Sequence, residues 1–213
     1  MRVLIGCEVS GVVRRAFRAL GHDAWSCDLL PAADGSPFHI VADHDLHLLD
    51  IAADWRGKRW NLGIFHPPCT RLCNSGVLRL YKGSKKAGGL DPDKLAEMRE
   101  AACFWAACWN APIASVCCEN PVPHYHAGLP PWTQTVQPWQ FGEPESKRTC
   151  LWLRGLPVLV PTRVLEFPAC GHWRNQCFGG QNKLGPSPTR AADRARTYEG
   201  IATAMAVQWG RAD

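Results

Sequence analysis

The 213-residue chain carries 24 Lys and Arg against 19 Asp and Glu, a formal charge of +5, with 46% hydrophobic and 20% charged residues. These proportions describe a globular domain with a full core. They exclude a disordered or collagen-like chain, and no apolar run reaches the ~18 residues of a membrane span. The mild positive charge suits a polyanionic partner without requiring one.

Eleven cysteines without regular spacing fit free thiols in a reducing compartment. The opening Met-Arg-Val-Leu-Ile-Gly-Cys-Glu meets an acid too early for a secretory leader, so a cytoplasmic protein is expected, and a monomer is expected alongside. One domain is expected over residues 1–213.

Residues 2 to 6 form a short apolar strand, followed by the turn Cys7-Glu8-Val9-Ser10-Gly11. Val12, Val13, Ala16, Phe17 and Leu20 then recur at helical spacing, with Ser10 as N-cap and Gly21 as stop. Asp23 to Cys27 makes a second strand ending at Asp28. Strand, tight turn, helix, strand and acid suit a nucleotide-type cofactor, because the turn brings backbone near the ligand and the acid accepts from ribose hydroxyls. The alternative for Asp28 is a solvated strand end.

Residues 29–38 are loop. Phe38 to Ala42 gives a third strand closed by Asp43, which either meets an adenine amino group or caps a helix over Leu46 to Ile51. Trp60 to Phe65 is a fourth strand, ended by Pro67-Pro68, which remove two backbone donors. Cys69 therefore sits just past a strand end, where open α/β sheets hold ligands. A thiol there is a candidate nucleophile.

Arg71 to Gly89 is basic, with Arg79, Lys82, Lys85 and Lys86, and is punctuated by Gly76, Gly83 and Gly88. It reads as a mobile loop able to close over a phosphate-bearing substrate, or as a solvated surface loop. Asp91-Pro92 opens a long helix whose buried stripe is Leu95, Met98, Ala102, Trp105 and Trp109. Residues 113–118 form a fifth strand ending in Glu119-Asn120-Pro121, which puts a carboxylate on the rim that holds Cys69.

Val122 to Phe141 lacks any period and reads as ordered loop. Ser146-Lys147-Arg148-Thr149 precedes a strand over Cys150 to Leu153. Cys170, His172 and Cys177 offer three zinc-type donors, but no paired C-x2-C spacing completes a set, and no metal is assigned. Ile201, Met205 and Trp209 mark a closing helix. The fold class expected is α/β, a mainly parallel sheet with helices on both faces.

In order along the chain, Gly6-Cys7-Glu8-Val9-Ser10-Gly11, His66-Pro67-Pro68-Cys69, Cys118-Glu119-Asn120-Pro121, Ser146-Lys147-Arg148 and Thr197-Tyr198-Glu199-Gly200-Ile201-Ala202 resemble motifs of the DNA cytosine-5 methyltransferase family. The likeness is strongest to its short bacteriophage and prophage members. It implies a Rossmann-like methyltransferase fold with a small irregular C-terminal insertion at 154–196, in place of a large target-recognition domain. It also implies S-adenosylmethionine as cofactor, with Cys7, Glu8, Ser10, Gly11, Asp28, Leu29, Asp43, Pro67 and Ile201 around it. DNA, duplex or single-stranded, is the implied partner.

The implied catalytic residues are Cys69, Glu119 and Arg148. Pro-Pro-Cys followed about fifty residues later by Glu-Asn-Pro has a chemical rationale. Carbon 5 of cytosine is a poor nucleophile until a thiolate adds at C6, and an acid at N3 stabilises the charge that this addition creates. Two other readings share these residues. One is modification of a free deoxycytidine nucleotide, or transfer of another group. The other is a nucleic-acid-binding protein without activity.

Overall fold

The structure is a computed structural model that describes residues 1–74, 79–180, 182–183 and 196–211, apart from the side chains of residues 45–47. Seven strands form one sheet in the order β3-β2-β1-β4-β5-β7-β6. They are β1 Arg2–Gly6, β2 Asp23–Asp28, β3 His39–Val41, β4 Leu62–Phe65, β5 Ser115–Pro121, β6 Gln134–Val136 and β7 Thr149–Arg154. The first five are parallel, and β7 runs antiparallel between β5 and β6. This is the expected Rossmann-like α/β fold, with the strand order reversing between β1 and β4.

The sheet is covered on both faces because its central strands alternate two apolar sets. Val3, Ile5, Leu62, Ile64 and Cys117 pack under α1 (Val12–Ala19) and α4 (Glu199–Trp209). Leu4, Phe65, Val116 and Cys118 pack under α2 (Asp45–Ala53) and α3 (Pro92–Trp109). Near-continuous burial of β1 and β4 is the mark of strands covered twice. Asp91 caps α3 by accepting from the amides of Asp93 and Lys94, with Pro92 at the first helical position. Of its expected stripe, Met98 and Trp105 are fully buried, while Leu95, Ala102 and Trp109 pack at the core's margin.

Three expectations need correction. β5 does not stop at Cys118: its parallel pairing with β4 ends there, but antiparallel pairing with β7 carries it through Glu119 and Asn120 to Pro121. Residues 122–141 contain β6, a three-residue edge strand too short to show a period. Ser10 does not cap α1. Its Oγ lies 3.5 Å from the Val12 amide, while Glu8 accepts from Val13 N–H at 2.7 Å and from Arg14 N–H at 3.3 Å.

Past the end of β7, the described part of 154–196 has no helix or strand. Residues 181 and 184–195 of that region, and Gly76 of the basic segment, lie outside the described residues. No helix among the described residues is long and apolar enough to cross a membrane.

Candidate functional site

Register places the candidate residues on one rim. Cys27, Gly6, Phe65 and Cys118 are aligned across β2, β1, β4 and β5. The next residues along each chain are Asp28, Cys7, His66 and Glu119, all at the carboxyl end of the parallel strands, where ligands bind in such sheets. The turn after β1 is held down by Glu8 N–H donating to Cys27 O at 3.2 Å and His66 N–H donating to Gly6 O at 3.0 Å. Within it Cys7 has φ 59 and Gly11 φ 66. A side chain at Gly11 would also run into the Arg14 guanidinium, so only glycine fits there.

Glu119 is the centre of the polar network. On β5 it alternates with Cys118, so it shares a face with Cys117 and looks toward α4. Its Oε2 accepts from His66 Nδ1 at 3.0 Å, with side chains only 13% and 8% exposed. Burial alone raises the Glu119 carboxyl. The His66 hydrogen bond and the charges of Lys147 and His66 outweigh it, and the net shift is downward. Glu119, Lys147, Thr197, Tyr198, Ile201 and Met205 line one crevice.

His66 extends this network toward β1. Its Nε2 is buried without a hydrogen-bond partner. Glu8 lies near enough to feel its charge, yet burial dominates there and the Glu8 carboxyl is raised. His66 thus stands between a carboxyl held down and a carboxyl held up. In the sequence His66 is marked only by its place in the His66-Pro67-Pro68-Cys69 motif, an imidazole just past a strand end.

Cys69 is partly exposed, in the turn that β4 feeds. Leu72 and Cys73 amides both donate to its carbonyl at 3.0 Å, closing one helical turn that brings the Cys73 and Cys69 side chains together. A hydrogen bond with Cys73, burial and the Glu119 carboxylate all push the Cys69 thiol up, with Lys147 opposing. Asn120 Nδ2 donates to Pro67 O at 2.9 Å from a fully buried position, tying β5 to the Pro-Pro-Cys turn. At rest the nucleophile candidate is therefore a thiol beside an ionised carboxylate.

Arg148 is exposed and is not among the groups acting on Glu119 or Cys69. Lys147 is. The reason is strand parity: Lys147, Thr149 and Leu151 follow the face of Glu119, while Arg148 goes with Cys150 to the other. Counting back by twos from Leu151 would have found it.

At the β2 end of the rim, Asp28 Oδ1 accepts from Leu30 N–H at 3.1 Å, and the adjacent Leu29 is 49% exposed. Asp43 is exposed, 3.6 Å from His44 Nε2. Ile201 is buried, but at the Glu119 crevice rather than beside Asp28. Among the described residues no group of three metal-ligating side chains is gathered. Cys170 instead contacts the His172 carbonyl at 3.3 Å.

No protein-family model and no curated protein matches the sequence. One similar solved structure is a candidate DNA modification methyltransferase encoded within an E. coli prophage, with a TM-score of 0.48 and 12% identity. The match covers 77% of this chain and 51% of that one, so this chain spans about half of that protein's length.

Proposed function

We propose that the protein transfers a methyl group from S-adenosylmethionine to C5 of cytosine in DNA, through a transient bond between Cys69 Sγ and C6. The observation that carries this reading is the pairing of Cys69 with Glu119 on one rim. The thiol is raised in part by the Glu119 carboxylate, and that carboxylate is fixed by His66 and Lys147.

The rim beyond β1 and β2 fits the cofactor. The second oxygen of Asp28 is left to accept from ribose hydroxyls, and Leu29 offers apolar surface to an adenine. Glu8 contributes differently: both its oxygens are engaged by α1, so it shapes the turn rather than touching ligand. S-adenosylmethionine held there supplies an electrophilic methyl group for C5.

The protein's own residues then have defined tasks. Cys69 Sγ bonds to C6 as its proton passes to Glu119, which delivers it to N3 and leaves C5 electron-rich. Lys147 stabilises the charge on Glu119, and His66 fixes its orientation. Once C5 is methylated its proton leaves to a base, the released electron pair expels Sγ from C6, and the N3 proton returns through Glu119 to sulfur. Asn120 holds the Pro67 carbonyl and so the start of the turn that presents Sγ. Exposed Arg148 is placed to meet a phosphate.

The test is incubation with methyl-labelled S-adenosylmethionine and cytosine-bearing DNA, with the product analysed as nucleosides. Label is expected in 5-methyldeoxycytidine, and none with Cys69→Ala. Full transfer by that variant would overturn the covalent route. Transfer to deoxycytidine monophosphate but not to DNA would move the reading to a free nucleotide.

A further inference from the structure

The loop after β5 carries an aromatic feature that the methyl-transfer chemistry does not use. Tyr125 is 75% exposed, yet it is held in place. Its ring centroid lies 4.3 Å from that of His124 and 4.0 Å from that of His126, and it neighbours Tyr81, a buried residue. An aromatic face immobilised in this way loses little entropy when something stacks on it.

Two further observations say what that would be. Tyr81 pairs with Leu90 and closes the base of the segment Lys82 to Gly89, which is exposed throughout and carries Lys82, Lys85 and Lys86. Among the described residues none of these lysines pairs with a carboxylate. Lys86 is near enough to His124 to lower its pKa, behind burial and His126. The platform is also fastened to the Cys69 turn: His124 N–H donates to Leu72 O at 2.7 Å, and Asn74 N–H donates to Val122 O at 3.1 Å. A fixed aromatic face, free cations beside it and the nucleophile next door form a site for a flexible polyanion with exposed bases.

We propose that Tyr125 stacks an unpaired base of single-stranded DNA, a neighbour of the target cytosine, while Lys82, Lys85 and Lys86 take the backbone phosphates. This rests on the reading of Cys69 as acting on DNA and adds strandedness to it. A single strand needs no energy to extrude its base, whereas a duplex costs a few kcal/mol per flipped nucleotide.

The experiment is fluorescence anisotropy of a labelled single-stranded 12-mer containing one cytosine, without cofactor, over a range of salt concentrations. Tyr125→Ala is expected to weaken binding by about tenfold, the order expected of one stacked base, and Tyr125→Phe to retain the parent affinity. Replacing the three lysines by alanine should flatten the slope of log K against log salt by about 2. Tyr125→Ala binding like the parent would overturn the platform, as would an equal loss for a duplex of the same sequence. Because no cofactor is present, the outcome is separate from the label-transfer test: either reading can fail while the other stands.

Discussion

The carboxyls of Glu8 and Glu119 are both buried on one rim, yet their ionisation is pushed in opposite directions, because Glu119 is bonded to the His66 side chain and Glu8 only to backbone amides. Folding lowers the Glu119 pKa below its usual 4.5, so this group contributes stability above about pH 4.5 that is lost as pH falls through its folded value. Removing the imidazole leaves burial as the dominant influence. His66→Ala is therefore expected to raise the Glu119 pKa, to move the acid limb of the pH–rate profile upward, and to cost roughly 1–3 kcal/mol in urea unfolding at pH 7. An unmoved acid limb would mean that His66 does not govern Glu119. Cys69, Glu119 and Asp28 were legible in the sequence because each stands at the end of an apolar run. His66 and Lys147 were not, since their importance lies in a neighbour more than fifty residues away for one and in strand parity for the other.

Elements are held to the rim by a few polar ties. Arg14 on α1 is 1% exposed and pairs with Asp34 in the loop after β2, while its Nη1 donates to Ser26 on β2 at 2.8 Å. Arg15 joins the same carboxylate at 2.9 Å. Burial raises the Asp34 carboxyl, but the two guanidiniums outweigh it and hold it down to about 2. Against an unfolded value of 3.8, its stabilisation is complete above about pH 4 and is lost between about pH 4 and pH 2. Asp34→Asn should cost about 1 kcal/mol at pH 7, since Asp34 is exposed and screened, and only a small fraction of that near pH 2, read from urea midpoints at both pH values. Asn120→Ala removes the tie to Pro67 and is expected to cost about 1–2 kcal/mol and to lower kcat with S-adenosylmethionine affinity unchanged, measured by calorimetry. Strand–turn–helix order at 2–28 and the capped start of α3 followed from local chemistry. The end of β5 did not, because its last residues are strand only by pairing with β7, some thirty positions later.

At the scale of the molecule, the acids whose pKa is lowered on folding, Asp34, Glu97, Glu119 and Glu145, all withdraw stability as pH falls, and Glu8 opposes them. The melting temperature should therefore drop between pH 5 and pH 2.5, with the Asp34 share alone worth roughly 2–4 °C by scanning calorimetry. A flat profile would show that these ties do not hold the fold. The sequence by itself determined the parallel α/β class, the succession of β1 to β5, and the rim on which Cys69, Glu119 and Asp28 stand. Hydrophobic period, proline and glycine act locally, and a residue that ends a strand in such a sheet has no other edge to occupy. Only the tertiary structure decided that Glu8 caps α1, that Lys147 rather than Arg148 reaches Glu119, and that Tyr81, Tyr125 and the three lysines share one anchor. Each of these depends on which side chains meet across elements distant in the chain, and that is set by packing and strand register rather than by any local preference.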